Sequence, residues 1–407
     1  MDILISGASI AGPALAYWLR EFGSNVTVVE RSPAPRPGGY KIDVRGAAMT
    51  VLERMGIADE VRQHHTDMRG GAFLDRKGRT IVEMDADTVG FREPTDVEIL
   101  RGDLARILRG ATGGVEYGYG DSITSMTEHA DGVTVEFERS LPRRFDLVIG
   151  ADGLHSTVRA LAFGPEEQFL RSLGHHIAIF SVPNLLDLDR WETIQAEKGR
   201  TLNVYSTRQD TEAKAAFMFA SDGLTYDRRD TARQRELLAE TFAQHGWIAP
   251  QLLAAMPDAP DFYFDGMSVV EMDRWSTGRV ALVGDAAYGP SPASGQGTSL
   301  ALVGAYVLAH ELVTAAGEHR AAFAAYEQRM RHFVTVNQKQ ANNIKRMVAG
   351  SRFTLWLNMT MMRLMPYLPG TAKIMAKVKA EIRDVSNAVE LPVTPPELRT
   401  GPVRNGL

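Results

Sequence analysis

The stretch Asp2–Arg31 (DILISGASIAGPALAYWLREFGSNVTVVER) constrains the fold of this chain more than any other. Ile3–Ser6 is an apolar run, and Gly7-Ala8-Ser9-Ile10-Ala11-Gly12 forms a turn. Pro13–Phe22 is patterned as a helix, Gly23 sits where a helix C-terminal glycine belongs, and Val26–Glu30 is a second apolar run. Strand, glycine turn, helix and strand make a βαβ unit, which needs a parallel sheet covered by helices. Gly7 permits the tight turn, and Gly12 lets the helix pack close to the sheet. The loop Ser9-Ile10-Ala11 and the helix N-terminus then present backbone N–H groups to a pyrophosphate. Ser9 replaces the glycine usual at the closest approach to phosphate, where a small hydroxyl fits and can donate a hydrogen bond. Glu30, with Arg31 beside it, stands 18 residues after Gly12, where an acid would hold adenosine ribose hydroxyls.

Two later segments repeat the theme. Leu147–Ile149 is a continuous apolar run suited to a buried parallel strand, and Gly150-Ala151-Asp152-Gly153 follows it directly. Asp152 and Gly153 fit either a cofactor contact or a capped strand-to-helix turn leading into Ser156-Thr157-Val158-Arg159. Val280–Val283 is another apolar strand, followed by Gly284-Asp285, then Pro290, Pro292, Gly295, Gln296 and Gly297, with a small-residue helix from Thr298. A carboxylate at Asp285 can accept hydrogen bonds from polyol hydroxyls. The glycines let backbone N–H groups of residues 295–298 approach a flat heterocycle under a helix N-terminal dipole.

Between these segments, Thr50–Met55 and Asp59–Gln63 read as short helices, Ala72–Leu74 with Thr80–Met84 as a hairpin, and Asp103–Leu108 as a helix. Thr134–Glu138 reads as a strand. Alternating segments such as Asn203–Ser206 and Ala215–Phe219 make residues 173–271 a mostly antiparallel sheet. Helix dominates from Thr298, through Ala309–Val313 and Ala321–Val336. The expected fold is therefore α/β: a Rossmann-like dinucleotide domain (1–70, 100–172, 272–330) interleaved with a substrate-binding sheet domain (71–99, 173–271), then a C-terminal helical region (331–407).

Composition removes several function classes. The chain has no cysteine, which excludes disulfides and thiolate chemistry and fits a reducing cytoplasm. Its net charge of −5 argues against nucleic acid or an anionic membrane as the main partner. Met1 leads straight into the first strand, without the pattern of a signal peptide. Phe353–Met365 (FTLWLNMTMMRLM) is interrupted by Arg363, closed by Pro366, and shorter than the about 20 apolar residues a bilayer requires. It is expected to pack on its own protein, with monotopic membrane contact as the runner-up. His64-His65 and His175-His176 tempt a metal reading, but neighbouring histidines on a strand point to opposite faces, so no metal is expected. Neither Gly-x-Ser-x-Gly nor Trp-x-Trp-x-Ile-Pro occurs.

Together the three motifs resemble those of the class A flavoprotein monooxygenases, the group of para-hydroxybenzoate hydroxylase and the tetracycline-inactivating monooxygenases, over about residues 1–345. In that family the fingerprint is matched by Gly7, Ser9, Gly12 and Glu30, the Asp-Gly motif by Asp152 and Gly153, and the Gly-Asp motif by Gly284 and Asp285. The resemblance also implies a flavin-facing arginine, matched by Arg101 in Glu98-Ile99-Leu100-Arg101-Gly102-Asp103-Leu104, and a basic residue near the isoalloxazine, matched by Arg45. The competing readings are a surface ion pair for Arg101 and a helix-start charge for Arg45.

What the resemblance implies is an FAD enzyme that consumes NADPH or NADH, forms a flavin C4a-hydroperoxide with O2, and inserts one oxygen atom into an organic molecule. The absence of a second glycine fingerprint fits a nicotinamide cofactor that visits without its own domain. By analogy the substrate pocket lies between flavin and sheet, with His176, Arg200, Asn203, Tyr205, Phe217, Phe219 and Pro292 as candidates. Their aromatic character inclines toward a phenol or polyketide. The alternatives are an oxidase or dehydrogenase without oxygen insertion and a non-catalytic flavin scaffold. The expected partners are a small organic substrate and O2, for a monomer or homodimer.

Overall fold

The computed structural model describes residues 1–35, 39–207, 211–221, 223–364, 371–393 and 395–398. Six strands form the central sheet, in the spatial order Ser276–Thr277, Val280–Leu282, Leu147–Gly150, Asp2–Ser6, Asn25–Glu30 and Glu116–Tyr119. All neighbours are parallel except the first pair. Apolar runs such as Ile3-Leu4-Ile5 and Val148-Ile149 belong here because both faces are covered, and all five side chains are fully buried. The helices Ala11–Glu21 and Gly297–Thr314 pack against each other beside this sheet. Among the described residues, Gly297–Thr314 is the one helix long and apolar enough to cross a membrane, and 78% of it is buried as a core element.

Register decides where the motifs meet. Ser6 pairs with Gly150 and with Val29, and Gly150 pairs with Leu282. The turns after Ser6, Gly150 and Val283 and the end of Asn25–Glu30 therefore share one edge of the sheet, where the strand order reverses around Asp2–Ser6. Ligands of open α/β sheets bind at such a switch point.

A seven-stranded sheet stands apart, ordered Tyr263–Val270, Leu170–Pro183, Glu212–Ala220, Arg200–Tyr205, Trp191–Glu197, Gly70–Leu74 and Thr80–Asp85. It is antiparallel apart from the pairing of Trp191–Glu197 with Gly70–Leu74. One face packs under the helices Thr231–Phe242 and Ala249–Ala255 through Ala178, Phe180, Leu202, Phe217, Phe219, Leu238 and Leu252. The other face, with Ile177, Ile179, Ala216, Met218 and Met267, turns toward Ala293, Tyr40 and Tyr263. Glu116–Tyr119 and the small sheet of Ile123–His129, Gly132–Phe137 and Arg143–Phe145 add strands beyond the expected one at Thr134–Glu138.

The segment expected to pack on its own protein does so by one side, against the strands Thr80–Asp85 and Trp191–Glu197. The helix Arg352–Leu364 has no buried residue, and Phe353, Trp356, Leu357, Met361 and Leu364 are exposed. It touches the seven-stranded sheet by one side only, and its apolar residues outnumber what that contact can cover. Met365 and Pro366 lie outside the described residues.

Candidate functional site: a dinucleotide cleft with a flavin-shaped donor set

Gly7 and Gly12 are held backbone to backbone. A Cβ on Gly12 would lie 1.9 Å from the Gly7 carbonyl oxygen, and one on Gly7 (φ +108°) would lie 2.4 Å from the Ala151 oxygen. The first motif thus sits directly against the Asp152-Gly153 turn. Gly284 closes the triangle, since a Cβ there would meet Ala11 Cβ at 3.1 Å. Ile10 precedes the first helix as its N-cap without a side-chain cap, so its N-terminal amides stay available to an anion.

Glu30 bridges the mouth of this loop: Oε2 accepts from Ala8 N at 2.9 Å and Oε1 from Ser32 N at 2.9 Å. These bonds fix the carboxylate at the strand end, where its remaining lone pairs can take ribose hydroxyls. Arg31 is exposed just beyond. Arg101 donates from Nη1 to Ser9 Oγ at 2.6 Å, and its guanidinium lies 5.9 Å from the Tyr40 ring. The serine at the position of the missing glycine therefore has a partner, and Arg101 Nε remains buried without one.

Asp285 is accessible from the cleft while protein surrounds it on its other sides. This desolvation raises its carboxyl above the usual range, opposed by the Arg101 charge. A Cβ on Gly297 would stand 3.7 Å from Asp285 Oδ1, so the glycine leaves the approach to that carboxylate clear. Gly295 (φ +66°) and Pro292 are exposed, Thr298 is half-buried, and a Cβ on Gly295 would meet nothing within 4 Å. Gln296 is buried; its Nε2 donates to Ser386 Oγ at 3.1 Å, and its Oε1 has no partner.

Asp152 turns inward. Its Oδ1 accepts from Ser156 Oγ at 2.5 Å and its Oδ2 from Val158 N at 3.1 Å, so its side chain caps the helix Thr157–Phe163. Burial pushes this carboxyl up, with the Ser156 hydrogen bond opposing. Gly153, at φ +82° with open space beside it, leaves the backbone of the turn accessible. Arg45, the basic residue the resemblance placed near the isoalloxazine, is held by protein partners. Its guanidinium donates to the Gly90 and Phe91 carbonyls and to Asp43 Oδ2 at 2.9 Å. Asp43 is on the strand Lys41–Val44 itself, and Gly90 and Phe91 end the short helix Ala86–Gly90 that precedes its partner strand Val97–Leu100. Its backbone is tied to the third motif, with Arg45 N donating to Ser299 Oγ at 3.2 Å.

The substrate candidates divide by sheet face. In the aligned registers Arg200, Phe219 and His176 stand side by side, as do Leu202, Phe217 and Ala178. All of these belong to the helix-covered side. Arg200 donates to the Thr241 carbonyl at 2.6 Å, and His176 stacks on Phe219 with centroids 5.6 Å apart. His176, Arg200, Phe217 and Phe219 are therefore corrected: they support the sheet from behind, because alternate strand residues point to opposite faces. Asn203 and Tyr205 lie on the cleft side. Tyr205 Oη accepts from Lys41 N at 3.1 Å. Asn203 Nδ2 donates to Glu192 at 3.1 Å, while its Oδ1 is buried and unpaired.

The residues therefore fit FAD: bare glycine backbone at the phosphate turn, Glu30 at the ribose position, and an accessible Asp285 deep in the cleft beside Arg101. A family described as "FAD binding domain" matches residues 1–341. A flavin-dependent monooxygenase of Legionella longbeachae is 39% identical over 96% of this chain and 98% of its own length. This chain belongs to the class A flavoprotein monooxygenases. As a flavoprotein monooxygenase it is an FAD-dependent oxidoreductase. It is similar to the tetracycline destructase Tet(55), with 41% identity, a TM-score of 0.83, and coverage of 96% of this chain and 98% of that one. An uncharacterized protein of Mycobacterium tuberculosis is 52% identical over 83% of this chain and 91% of its own length.

Two features of the monooxygenase site escaped the sequence reading. Arg159 is fully buried and donates to the Ala286 carbonyl at 3.0 Å and the Leu154 carbonyl at 2.6 Å. It ties the second motif to the third. Its position one turn into the helix after Asp152-Gly153 was the available signal. Lys41 is the other: it pairs with Glu192 at 3.0 Å and Glu98 at 3.4 Å. Burial opposes its charge, but both carboxylates raise its pKa above the ordinary lysine value. Nothing local in the sequence joins these three.

Proposed function

We propose that this monooxygenase takes electrons from NADPH or NADH and oxygenates an aromatic or polyketide-like molecule bound between the flavin cleft and the seven-stranded sheet. The balanced reaction is RH + O2 + NAD(P)H + H⁺ → ROH + NAD(P)⁺ + H2O. Bound FAD supplies the redox chemistry, accepting the hydride and activating O2. In this reading Gly7, Ser9, Ile10, Ala11, Gly12 and Glu30 hold the adenosine diphosphate end. Asp285, Gly295, Gly297 and Thr298 take the ribitol and ring end, with Arg101 over the cleft.

The observation that carries the substrate class is the cleft-side face of the sheet. Ile177, Ile179, Met218, Met267 and Ala293 make it apolar, and Asn203 Oδ1 is an acceptor buried without a partner. An apolar wall excludes water and orients a flat molecule. An orphaned amide oxygen favours a ligand that donates a hydroxyl or amide N–H, because an unpaired buried acceptor costs about 1–3 kcal/mol. A fused-ring phenolic polyketide has both properties, and the likeness to a tetracycline destructase supports that choice. The domain division given by the sequence, a monomeric or homodimeric state and a cytoplasmic location belong to the same proposal.

The test is NADPH and NADH oxidation with O2 uptake by purified FAD-loaded protein, with and without tetracyclines and simpler phenols. Consumption stimulated by a compound that gains one oxygen atom supports the reading. A compound oxidised without added NAD(P)H and without oxygen gain would replace it with an oxidase.

A further inference from the structure

The exposed side of Arg352–Leu364 is an apolar stripe on a surface helix. Phe353 is 70% exposed, Trp356 59% and Met361 52%, and Leu357 and Leu364 are exposed with them. Their spacing of three, four and seven residues puts all five on one side of the helix. Arg352 and Arg363 are also exposed. Eleven residues apart, they fall on the same side as each other and border the stripe.

The charge around this helix is one-sided. From residue 344 to 380 the sequence has seven Lys/Arg and no Asp/Glu, in a chain whose overall net charge is −5. Lys345, Lys373 and Lys377 are exposed as well. The segment begins just after residue 341, the last matched by the FAD-binding family; Ile344 and Val348 at its start pack on the cleft-side face of the seven-stranded sheet, and the exposed stripe follows them.

We infer that this helix is a peripheral docking surface for an anionic lipid bilayer. A basic helix with Trp, Phe and Leu on one side lies in the membrane interface, its apolar residues among the acyl chains and its cations at lipid phosphates. Long arginines bordering the stripe can bury their stems while keeping their charge at the headgroups. An acidic protein partner would satisfy the cations but leave five apolar side chains to be covered separately. A second copy of this chain brings the same positive charge to the contact. A bilayer answers both features at once.

The experiment is co-sedimentation of the full-length, FAD-loaded protein with phosphatidylcholine vesicles, with and without phosphatidylglycerol, at low and high salt. The expected result is binding that needs phosphatidylglycerol and weakens with salt. Trp356 emission should shift to the blue, since Trp18 and Trp275 are buried and Trp191 and Trp247 only partly exposed. Arg352→Glu with Arg363→Glu should weaken anionic binding by roughly tenfold or more. Phe353→Glu with Trp356→Glu should abolish it. Bound flavin content and circular dichroism show that these surface variants are folded. A wild-type protein that stays in solution with both vesicle types at low salt overturns the inference. So does unchanged binding by the Phe353/Trp356 variant. A concentration-dependent dimer that the Phe353/Trp356 variant dissolves would assign the face to a second copy, and that also overturns it.

Discussion

Gly12→Ala tests the geometry of the first motif with one methyl group. The added Cβ would lie 1.9 Å from the Gly7 oxygen and 3.4 Å from Ile5 Cγ2. A comfortable contact needs about 3.5 Å, so something must move by about 1.5 Å. Gly7 cannot retreat, because its own Cα already faces Ala151 and Asp152 backbone and its N–H is fixed to the Val29 carbonyl at 2.7 Å. The helix Ala11–Glu21 must shift instead, although Ala14, Leu15, Trp18 and Leu19 are all buried. Overpacking of this kind costs about 1–3 kcal/mol, and backbone on both sides places this case near the upper end. A loss of about 3 kcal/mol lowers Tm by about 3–4 °C for a chain of this length. Displaced loop amides also lose hydrogen bonds to a charged pyrophosphate, each about 1.5–3 kcal/mol, so FAD Kd rises by about tenfold or more. The assay is thermal unfolding of apo protein plus FAD titration by fluorescence quenching. Gly110→Ala is the control: it is exposed within the helix Arg101–Ala111 with nothing within 4 Å of the new methyl. It should stabilise by about 0.5–1 kcal/mol. Full flavin occupancy and an unchanged Tm in Gly12→Ala would refute the close-approach argument.

Glu30→Ala removes the acceptor of two backbone amides and the proposed ribose contact; FAD affinity by titration should fall about tenfold or more, and an unchanged Kd would displace Glu30 from the site. Arg159→Met leaves the Ala286 and Leu154 carbonyls and the Glu166 carboxylate without their buried cation. Urea unfolding should show a loss of about 3 kcal/mol, whereas a loss within experimental error would make Arg159 dispensable. Asp285→Asn should strip FAD yet stabilise the apoprotein near neutral pH. The folded-state pKa of Asp285 is raised by burial, so its carboxylate form opposes folding above the unfolded-state pKa. That penalty disappears as pH falls through the raised folded value to below the unfolded one. Denaturation curves should therefore separate the variants at neutral pH and merge in acid; the reverse order would contradict a raised pKa at Asp285.

Much of the flavin cleft was legible because its signals are local. A glycine turn between an apolar strand and a helix specifies its own geometry, and three such turns at strand ends in one parallel sheet must share an edge. Arg101 was picked out through resemblance, and the structure added its partner: the Ser9 hydroxyl accepts from the Arg101 guanidinium. For Arg45 the structure added what the sequence could not show: its guanidinium is held by the Gly90 and Phe91 carbonyls.

The sequence by itself determined the βαβ opening, the three turns, the acids Glu30 and Asp285, and the antiparallel character of residues 173–271. Each follows from short-range sterics, apolar periodicity or a charge at a fixed offset. Only the tertiary structure decided which side of the sheet meets the cleft. Strand alternation divides Arg200, Phe217 and Phe219 from Asn203 and Tyr205 but does not say which set is covered by Thr231–Phe242. Net charge concealed the basic segment in the same way, since a sum carries no position. And an apolar helix at 352–364 has the same pattern whether buried or exposed: its surroundings, assembled from distant parts of the chain, decide the outcome.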